Sequence, residues 1–396
     1  MFLGIAVAPL IQSTVVEKSN IPFSNGKTLY VGGSGPGNYT SIQDAIDNTS
    51  YEDTVYVYNG TYYENVIINK YRISLIGEKK ETTIIDGGGI DDVILIEGEE
   101  NDLVTISGFT IQNGGNDIRD DAGIDIYTSC NTITGNIIGN NGGHGIFCTG
   151  KWNYYYEGNN NIYDNFIINN EFGIFLDRCN YNEIYDNYIA DNEQAGIYVG
   201  STVFPTKNLE EILFFEFYND LYKNTITNNG EGIEIELSFT NVFKNNISNN
   251  NYGISVVSCI NCMANYNNIY QNNINNNSYG IFVYSENCGE LVENNISNNN
   301  IIDNVEGISM DSCGGFLIGS YITHNTFSNN NFIRNNNSAY FEYTIPNRCN
   351  LWFGNYWDKA RLVPKPIIGK IWIFSLLVPW ITIDWHPASE PYDIGV

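Results

Sequence analysis

A short unit that opens with Gly-Ile recurs along the sequence and strongly restricts the folds available to the chain. Two shorter apolar stretches bounded by asparagine precede most of these pairs, as in NTITGNIIGNN, which predicts three brief strands and three turns per unit of about 22 residues. A unit this short cannot bury its own hydrophobic face, so it must stack on its neighbours. The pairs begin at Gly123, Gly145, Gly173, Gly196, Gly232, Gly253, Gly280 and Gly307.

Three strands per unit, each pairing with its equivalent in the next unit, predict an all-β parallel solenoid. Alternation along the strands then points Ile174, Leu176, Ile197 and Val199 into the core. Asparagine suits the turns because it tolerates the left-handed backbone conformation and its amide bonds to nearby backbone groups. Stacked asparagines can also bond to their equivalents one coil away. We therefore expect the many Asn-Asn pairs to stabilise the turns.

The sequence divides into four segments. A helix in YTSIQDAID, capped by Thr40 or Ser41, precedes several β stretches, as expected at the closed first end of a solenoid. The end of the chain is rich in Trp, Tyr and Pro. We predict a signal-like segment and linker over residues 1–26, an N-terminal cap with the first coils over 27–112, β-helix repeats over 113–345 and a C-terminal cap over 346–396.

Charge and hydropathy limit the classes of partner that the protein can bind and indicate where it is located. The net charge is −27 and the 18 Lys and Arg residues form no basic run, which argues against nucleic acid as a partner. Residues 2–10, FLGIAVAPL, are typical of the end of a secretory signal sequence, so we expect an exported protein. The apolar stretch over residues 371–383 contains Pro379 and is shorter than the ~20 residues that span a bilayer.

From LYVGG through the Gly-Ile units, roughly residues 27–396, the sequence resembles right-handed parallel β-helix proteins of the pectin-lyase-like superfamily. Within that superfamily it is most similar to NosD-like β-helix domains and to archaeal surface proteins with a terminal GNYW block, here 354–357. The resemblance implies a right-handed parallel β-helix with both ends capped. It implies no single function, because the superfamily includes lyases, hydrolases, esterases, adhesins and non-enzymes.

The NosD-like resemblance implies a role in the maturation of a copper enzyme. The sequence contains three His and three Met, without a cluster of Met, His and Cys, so we expect neither a metal nor another cofactor. Several of the eight cysteines follow Gly-Ile at a similar offset. They are interpreted either as a column of small buried residues or as disulfides between adjacent coils of an exported protein.

Two insertions suggest where a ligand could bind. Residues 151–159 and 201–220 both follow the Gly-Ile strand, whereas the unit between them, which begins at Gly173, is short. Because both loops project from the same side, we expect a lateral groove whose walls are about 10 Å apart, two coils along the axis.

The floor of this groove is predicted from strand alternation. Phe147, Phe175 and Tyr198 point outward as adjacent exposed aromatics beside Asp125, and the insertion supplies Trp152 and Tyr155 as wall residues. Aromatic faces beside carboxylates are typical of sugar-binding sites, which favours a polysaccharide as ligand. The alternative is that the aromatic residues only pack between coils. These are the residues that we predict to bind a ligand.

Acidic residues in the same groove allow a catalytic alternative. Asp177 with Glu234 or Glu236 would form an acid/base pair, for which separations of about 6.5–9.5 Å suit an inverting hydrolase. Arg178 would neutralise an acidic substrate. We predict an exported, non-catalytic surface protein that binds polysaccharide or a neighbouring surface protein. A polysaccharide lyase or glycoside hydrolase is the first alternative, and a NosD-like copper-maturation component is the second.

Overall fold

Three long sheets wind around one axis in the computed structural model. The structure describes residues 26–98, 103–117, 121–149, 156–201, 216–258, 263–286, 289–313, 321–344, 350–373 and 376–395. Every pairing within the three sheets is parallel except that of the last two strands, β41 (Lys365–Ile373) and β42 (Leu376–Asp384). Each strand pairs with its equivalents in the preceding and following coils, which is the predicted solenoid.

The first sheet contains β1 (Thr28–Val31), β2 (Thr54–Val57), β5 (Ser74–Gly77), β8 (Thr105–Ser107), β11 (Thr132–Thr134), β15 (Asn161–Tyr163), β19 (Glu183–Tyr185), β22 (Asn219–Tyr222), β25 (Thr240–Phe243), β28 (Asn268–Tyr270), β32 (Asn295–Ser297), β36 (Thr326–Ser328) and β39 (Leu351–Phe353). The second sheet contains β4 (Val66–Ile68), β7 (Ile94–Ile96), β10 (Ala122–Ile126), β13 (His144–Thr149), β17 (Ile174–Asp177), β21 (Ala195–Gly200), β24 (Glu231–Ile235), β27 (Tyr252–Ser258), β30 (Tyr279–Glu286), β34 (Glu306–Cys313), β38 (Asn337–Thr344), β41 (Lys365–Ile373) and β42 (Leu376–Asp384).

The third sheet contains β3 (Gly60–Tyr63), β6 (Thr83–Asp86), β9 (Thr110–Gln112), β12 (Ile137–Gly139), β16 (Phe166–Ile168), β20 (Tyr188–Ala190), β23 (Thr225–Thr227), β26 (Asn246–Ser248), β29 (Asn273–Asn275), β33 (Asn300–Ile302), β37 (Asn331–Ile333) and β40 (Tyr356–Trp357). Two short pairs lie outside these sheets, β14 (Tyr156–Glu157) with β18 (Cys179–Asn180) and β31 (Glu290–Val292) with β35 (Tyr321–Thr323).

A short helix, α1 (Ile42–Asp47), packs against the first coils. Ser41 is its N-cap, and the Ser41 hydroxyl accepts a hydrogen bond from the backbone N–H of Asp44. The carboxylate of Glu64 accepts further bonds from the first two helical N–H groups, which no carbonyl inside the helix can satisfy. The helix buries Ile42 and Ile46 and so covers the open end of the core. No helix in the described part of the chain is long and apolar enough to cross a membrane.

Columns of aliphatic side chains fill the interior. The predicted inward residues Ile174, Leu176, Ile197 and Val199 are all fully buried and lie in register with their equivalents in neighbouring coils. Each buried Leu, Ile or Val side chain contributes about 1.5–3 kcal/mol relative to exposure. Because most coils place an aliphatic residue at the same positions, this contribution is repeated along the axis.

Three columns of buried asparagine connect the coils, one at each turn. In the column that contains Asn187, its backbone N–H and side-chain amide both donate to Asn224 Oδ1 in the next coil, at 3.1 and 3.0 Å. The same amide donates to the carbonyl of Ile162 in the preceding coil at 2.8 Å. This column comprises Asn136, Asn165, Asn187, Asn224, Asn245, Asn272, Asn299, Asn330 and Asn355.

The residue before most of the column asparagines takes the left-handed conformation. Asn249, for example, has φ 58° and is exposed, whereas Asn250 is buried in the column. Lys223 and Tyr181 occupy equivalent left-handed positions, so this position tolerates several residue types. The sequence predicted that asparagine both takes the left-handed turn conformation and bonds to the next coil. In the structure, the first role belongs to the exposed residue and the second to the buried asparagine that follows it.

Replacing a column asparagine is expected to destabilise the protein. Asn250→Ala removes the acceptor of two bonds from Asn229 and the amide that donates to Asn277. Because buried groups then lose their partners, we expect unfolding to become easier by about 3 kcal/mol, measured by guanidinium denaturation with circular dichroism. The adjacent Asn249→Gly is the control and should change stability little, since glycine accepts the left-handed conformation. Equal losses for both variants would contradict the column's role.

Candidate functional site

The second sheet brings the three predicted aromatic residues together on its outer face. Phe147, Phe175 and Tyr198 are direct register partners in β13, β17 and β21. Their ring centroids are 5.4 Å apart for the first pair and 4.3 Å for the second. His144 and Phe172 pack against the same rings, with His144 4.8 Å from Phe175 and Phe172 5.6 Å from Tyr198. These five residues form the outer aromatic cluster.

The expected exposure of these aromatic residues is wrong. Phe147, Phe175 and Tyr198 expose only 3, 5 and 8% of their surface. Strand alternation gives the face from which a side chain leaves the sheet, but it does not reveal what covers that face. Their tilted and edge-to-face contacts are those of a packed cluster, separate from the solenoid core. Sugar rings therefore have no open aromatic floor here.

The other predicted residues are distributed around this cluster. Asp125 is 1% exposed and lies in register with Phe147. Arg178 binds its own neighbour, Asp177, through two hydrogen bonds of 3.0 and 3.1 Å, so its charge is engaged within the protein and not directed at a substrate. Trp152 and Tyr155 lie outside the described residues, as do parts of both insertions that were expected to form the groove walls.

Three carboxyl groups, the carboxylate cluster, lie next to the aromatic residues. Glu231 and Glu234 belong to β24 and Glu236 follows it directly. All three are partly buried. Burial, together with repulsion from Glu231 and Glu236, raises the pKa of Glu234 to about 9. Burial also raises the pKa of Glu231 and of Glu236 above the usual range. At neutral pH, Glu234 therefore carries a proton.

Tyr198 connects the aromatic cluster to the carboxylate cluster. Its hydroxyl donates a 2.6 Å hydrogen bond to Glu236 Oε2. The ring crosses Gly200, where an added Cβ would lie 2.2 Å from ring carbons, so glycine at this position makes the contact possible. Asp177 lies two coils from the carboxylates, because β21 separates β17 from β24. That offset is about 10 Å along the axis, slightly more than the about 6.5–9.5 Å between carboxyl groups that suits an inverting hydrolase.

Glu231 was not among the predicted residues. The sequence EGIEIE shows three glutamates within six residues, which could have indicated that their carboxyl groups lie close together. In the structure, Glu231 lies in register with Ala195 and Tyr252 of the neighbouring coils.

The described cysteines include Cys148 and Cys179, which are buried free thiols whose pKa values are raised by burial. Within the described ranges, no group of three or more His, Cys, Asp or Glu residues could hold a metal ion.

The protonated state of Glu234 should make stability depend on pH. Between pH 4.5, the ordinary value, and about 9, the folded protein retains a proton that the unfolded chain has released, so stability falls as pH rises. Glu234→Gln removes this dependence. We expect it to raise the melting temperature by a few degrees at pH 8 and to have no effect at pH 4, measured by calorimetry. The exposed Glu293→Gln should show no such difference between the two pH values. If Glu234→Gln changed the melting temperature equally at pH 4 and at pH 8, the raised pKa of Glu234 would be disproved.

Comparisons with known proteins agree on the architecture. The model for a right handed beta helix region matches residues 92–259, and the model for periplasmic copper-binding protein (NosD) matches residues 218–362. No curated protein matches the chain in sequence.

The structure is similar to that of XylC with xylose, with a TM-score of 0.59 and 13% identity over 77% of this chain and 75% of that one. It is also similar to a mannuronic acid specific polysaccharide family 6 lyase from human gut microbiota, with a TM-score of 0.50 and 14% identity over 78% of this chain and 82% of that one. At these identities the similarity shows a shared fold. The two family matches and the three parallel sheets support a right-handed β-helix protein of the pectin-lyase-like kind.

Proposed function

We propose that the protein is exported and binds polysaccharide on the outer face of the second sheet, through the carboxylate cluster. The observation that carries this proposal is the grouping of three partly buried carboxyl groups on one short segment beside Tyr198, and their burial and mutual repulsion raise the pKa of Glu234. A protonated carboxyl both donates and accepts hydrogen bonds, and an ionised one only accepts. Such a mixture complements sugar hydroxyls, which are themselves donors and acceptors.

Two further observations support this class of ligand. Perturbed carboxyl pKa values in a partly buried patch are characteristic of functional sites. The two similar structures described above contain xylose or belong to an enzyme named for mannuronic acid polysaccharide, so the same fold holds carbohydrates elsewhere. Because Phe147, Phe175 and Tyr198 are buried, recognition here rests on hydrogen bonds instead of the ring stacking that the sequence suggested.

Acid-catalysed cleavage of the bound polysaccharide is the second candidate. A general acid must hold its proton at working pH, and Glu234 meets that requirement. Glu234 would give its proton to the leaving glycosidic oxygen, while Asp177 would accept a proton from the attacking water. The spacing of two coils between Asp177 and the carboxylate cluster leaves room for that water.

The match to a model named for a copper-binding protein suggests a metal, but the described residues of the matched range do not fit one. Copper prefers the donors of Cys, Met and His. Within the matched range, Met310 is fully buried in the core and His324 lies in an exposed turn between β35 and β36. The described part of that range contains no group of three or more His, Cys, Asp or Glu able to hold a metal. No step through copper is proposed.

A polysaccharide array tests the proposal if bound polymer and released sugar ends are scored together. We expect binding by the wild type, binding about tenfold weaker for Glu234→Ala, and unchanged binding for Glu234→Gln, since Gln mimics the protonated carboxyl. Glu293→Gln, which changes an exposed turn residue elsewhere, is the control.

The products separate the two candidates. Binding without released ends supports a non-catalytic role, whereas ends that disappear in Glu234→Gln and Asp177→Asn support hydrolysis. No binding to any polymer, or binding that Glu234→Ala leaves unchanged, would refute the carboxylate cluster as the site.

A further inference from the structure

A cleft lies at the turn between the first and third sheets, away from the outer face of the second sheet. Its volume is about 460 Å³, and it is open to solvent. The side chains that line it come from several coils and include Lys80, Asp164, Phe166, Asp186, Tyr188 and Lys223. This combination of two cations, two acids and two aromatic rings differs from the acidic surface expected of a chain with net charge −27.

The aromatic rings of the cleft are accessible. Phe166 and Tyr188 are 46 and 38% exposed, in contrast to the buried outer aromatic cluster. They are register partners in β16 and β20, with centroids 5.5 Å apart and planes tilted by 36°. Their column continues with Ile137 on one side and Thr225 on the other, so no further ring covers them within it.

A longer aromatic row on the first sheet provides the contrast. Successive rings in this row lie 4.9–5.0 Å apart with planes within 5–9° of parallel. The faces of its inner rings are therefore covered by their neighbours, and the row stabilises the stacked coils without offering a platform for a ligand. The row comprises Tyr163, Tyr185, Tyr222, Phe243 and Tyr270.

Two lysines bring positive charge to the same cleft. Lys80, in the turn before β6, places its ammonium 4.7 Å from the centroid of the Phe166 ring. Lys223, directly after β22, lies 5.9 Å from the centroid of Tyr222. Among the described residues, neither ammonium has a carboxylate within 4.0 Å, although Asp164 and Asp186 line the cleft as well. Both charges thus remain available to an anion.

We propose that this cleft binds an acidic saccharide. Because Lys80 and Lys223 lie in coils five steps apart, each ammonium group would pair with a different carboxylate or sulfate ester of one polymer, and a sugar ring between them would lie against Phe166 and Tyr188. Asp164 would accept hydrogen bonds from hydroxyl groups. The site is separate from the carboxylate cluster, so it does not depend on the function proposed above. A net charge of −27 repels polyanions at long range, but salt at about 0.1 M limits that repulsion to roughly 10 Å.

Titration calorimetry of the full-length protein at about 0.1 M salt tests the proposal. The probes are polygalacturonate, which carries carboxylates, dextran sulfate, which carries sulfate esters, and neutral dextran. We expect the wild type to bind at least one of the two anionic polymers and not dextran. The double variant Lys80→Gln/Lys223→Gln should bind that polymer at least about tenfold more weakly, because two charge-assisted contacts are lost.

A matched control separates the cleft from general charge effects. Lys79→Gln removes the same charge one residue away, at a lysine that pairs with Glu81 and does not line the cleft, and should leave the affinity unchanged. Phe166→Ala should weaken binding of the acidic polymer, because the sugar ring loses its aromatic contact. The double lysine variant should keep the wild-type melting temperature, which shows that its loss of affinity does not come from unfolding. Preference for polygalacturonate or for dextran sulfate identifies the anionic group.

Three outcomes would overturn the proposal: no binding of either anionic polymer, equal binding of dextran, or equal affinity of the double variant and the wild type. The two sites are tested by different variants, because Glu234→Ala reports on the carboxylate cluster and the double lysine variant reports on the cleft. Failure at one site therefore leaves the result at the other intact.

Discussion

The rest of the structure depends on the hydrogen bond between an asparagine in one coil and its equivalent in the next. Each turn of the chain must bury polar backbone groups, and an unpaired buried group costs about 1–3 kcal/mol. The side chain of Asn187 solves this by accepting from Asn165 while donating to Asn224 and to a backbone carbonyl. Repeated at all three turns, this bond fixes the height of a coil and therefore the register of every strand.

That register determines what the outer surface can do. Side chains at equivalent positions are held one coil apart, so Phe147, Phe175 and Tyr198 must pack against each other. Tyr198 in turn reaches Glu236 in the following coil. The same strand spacing keeps three carboxyl groups on a single short segment, where burial and mutual repulsion hold Glu234 in its protonated form.

The C-terminal end shows how the chain terminates such a column. Asp384 Oδ2 accepts hydrogen bonds from the N–H and side-chain amide of Asn355, at 3.0 and 3.1 Å, and from Trp357 Nε1 at 3.0 Å. This oxygen takes the place that the side-chain oxygen of a further asparagine would have, and in the described residues the column ends here. The antiparallel hairpin of β41 and β42 places this residue over the end of the third sheet.

The sequence by itself determined the solenoid, the N-terminal helix and the inward residues such as Ile174 and Leu176. It could do so because every coil buries the same positions, and the signal is repeated eight times. Only the tertiary structure decided which outward residues are accessible. The burial of Phe175, the pairing of Arg178 with Asp177 and the raised pKa of Glu234 all depend on neighbours in other coils. Likewise, Lys80 and Lys223 lie far apart in the sequence and line the same cleft only because the coils stack.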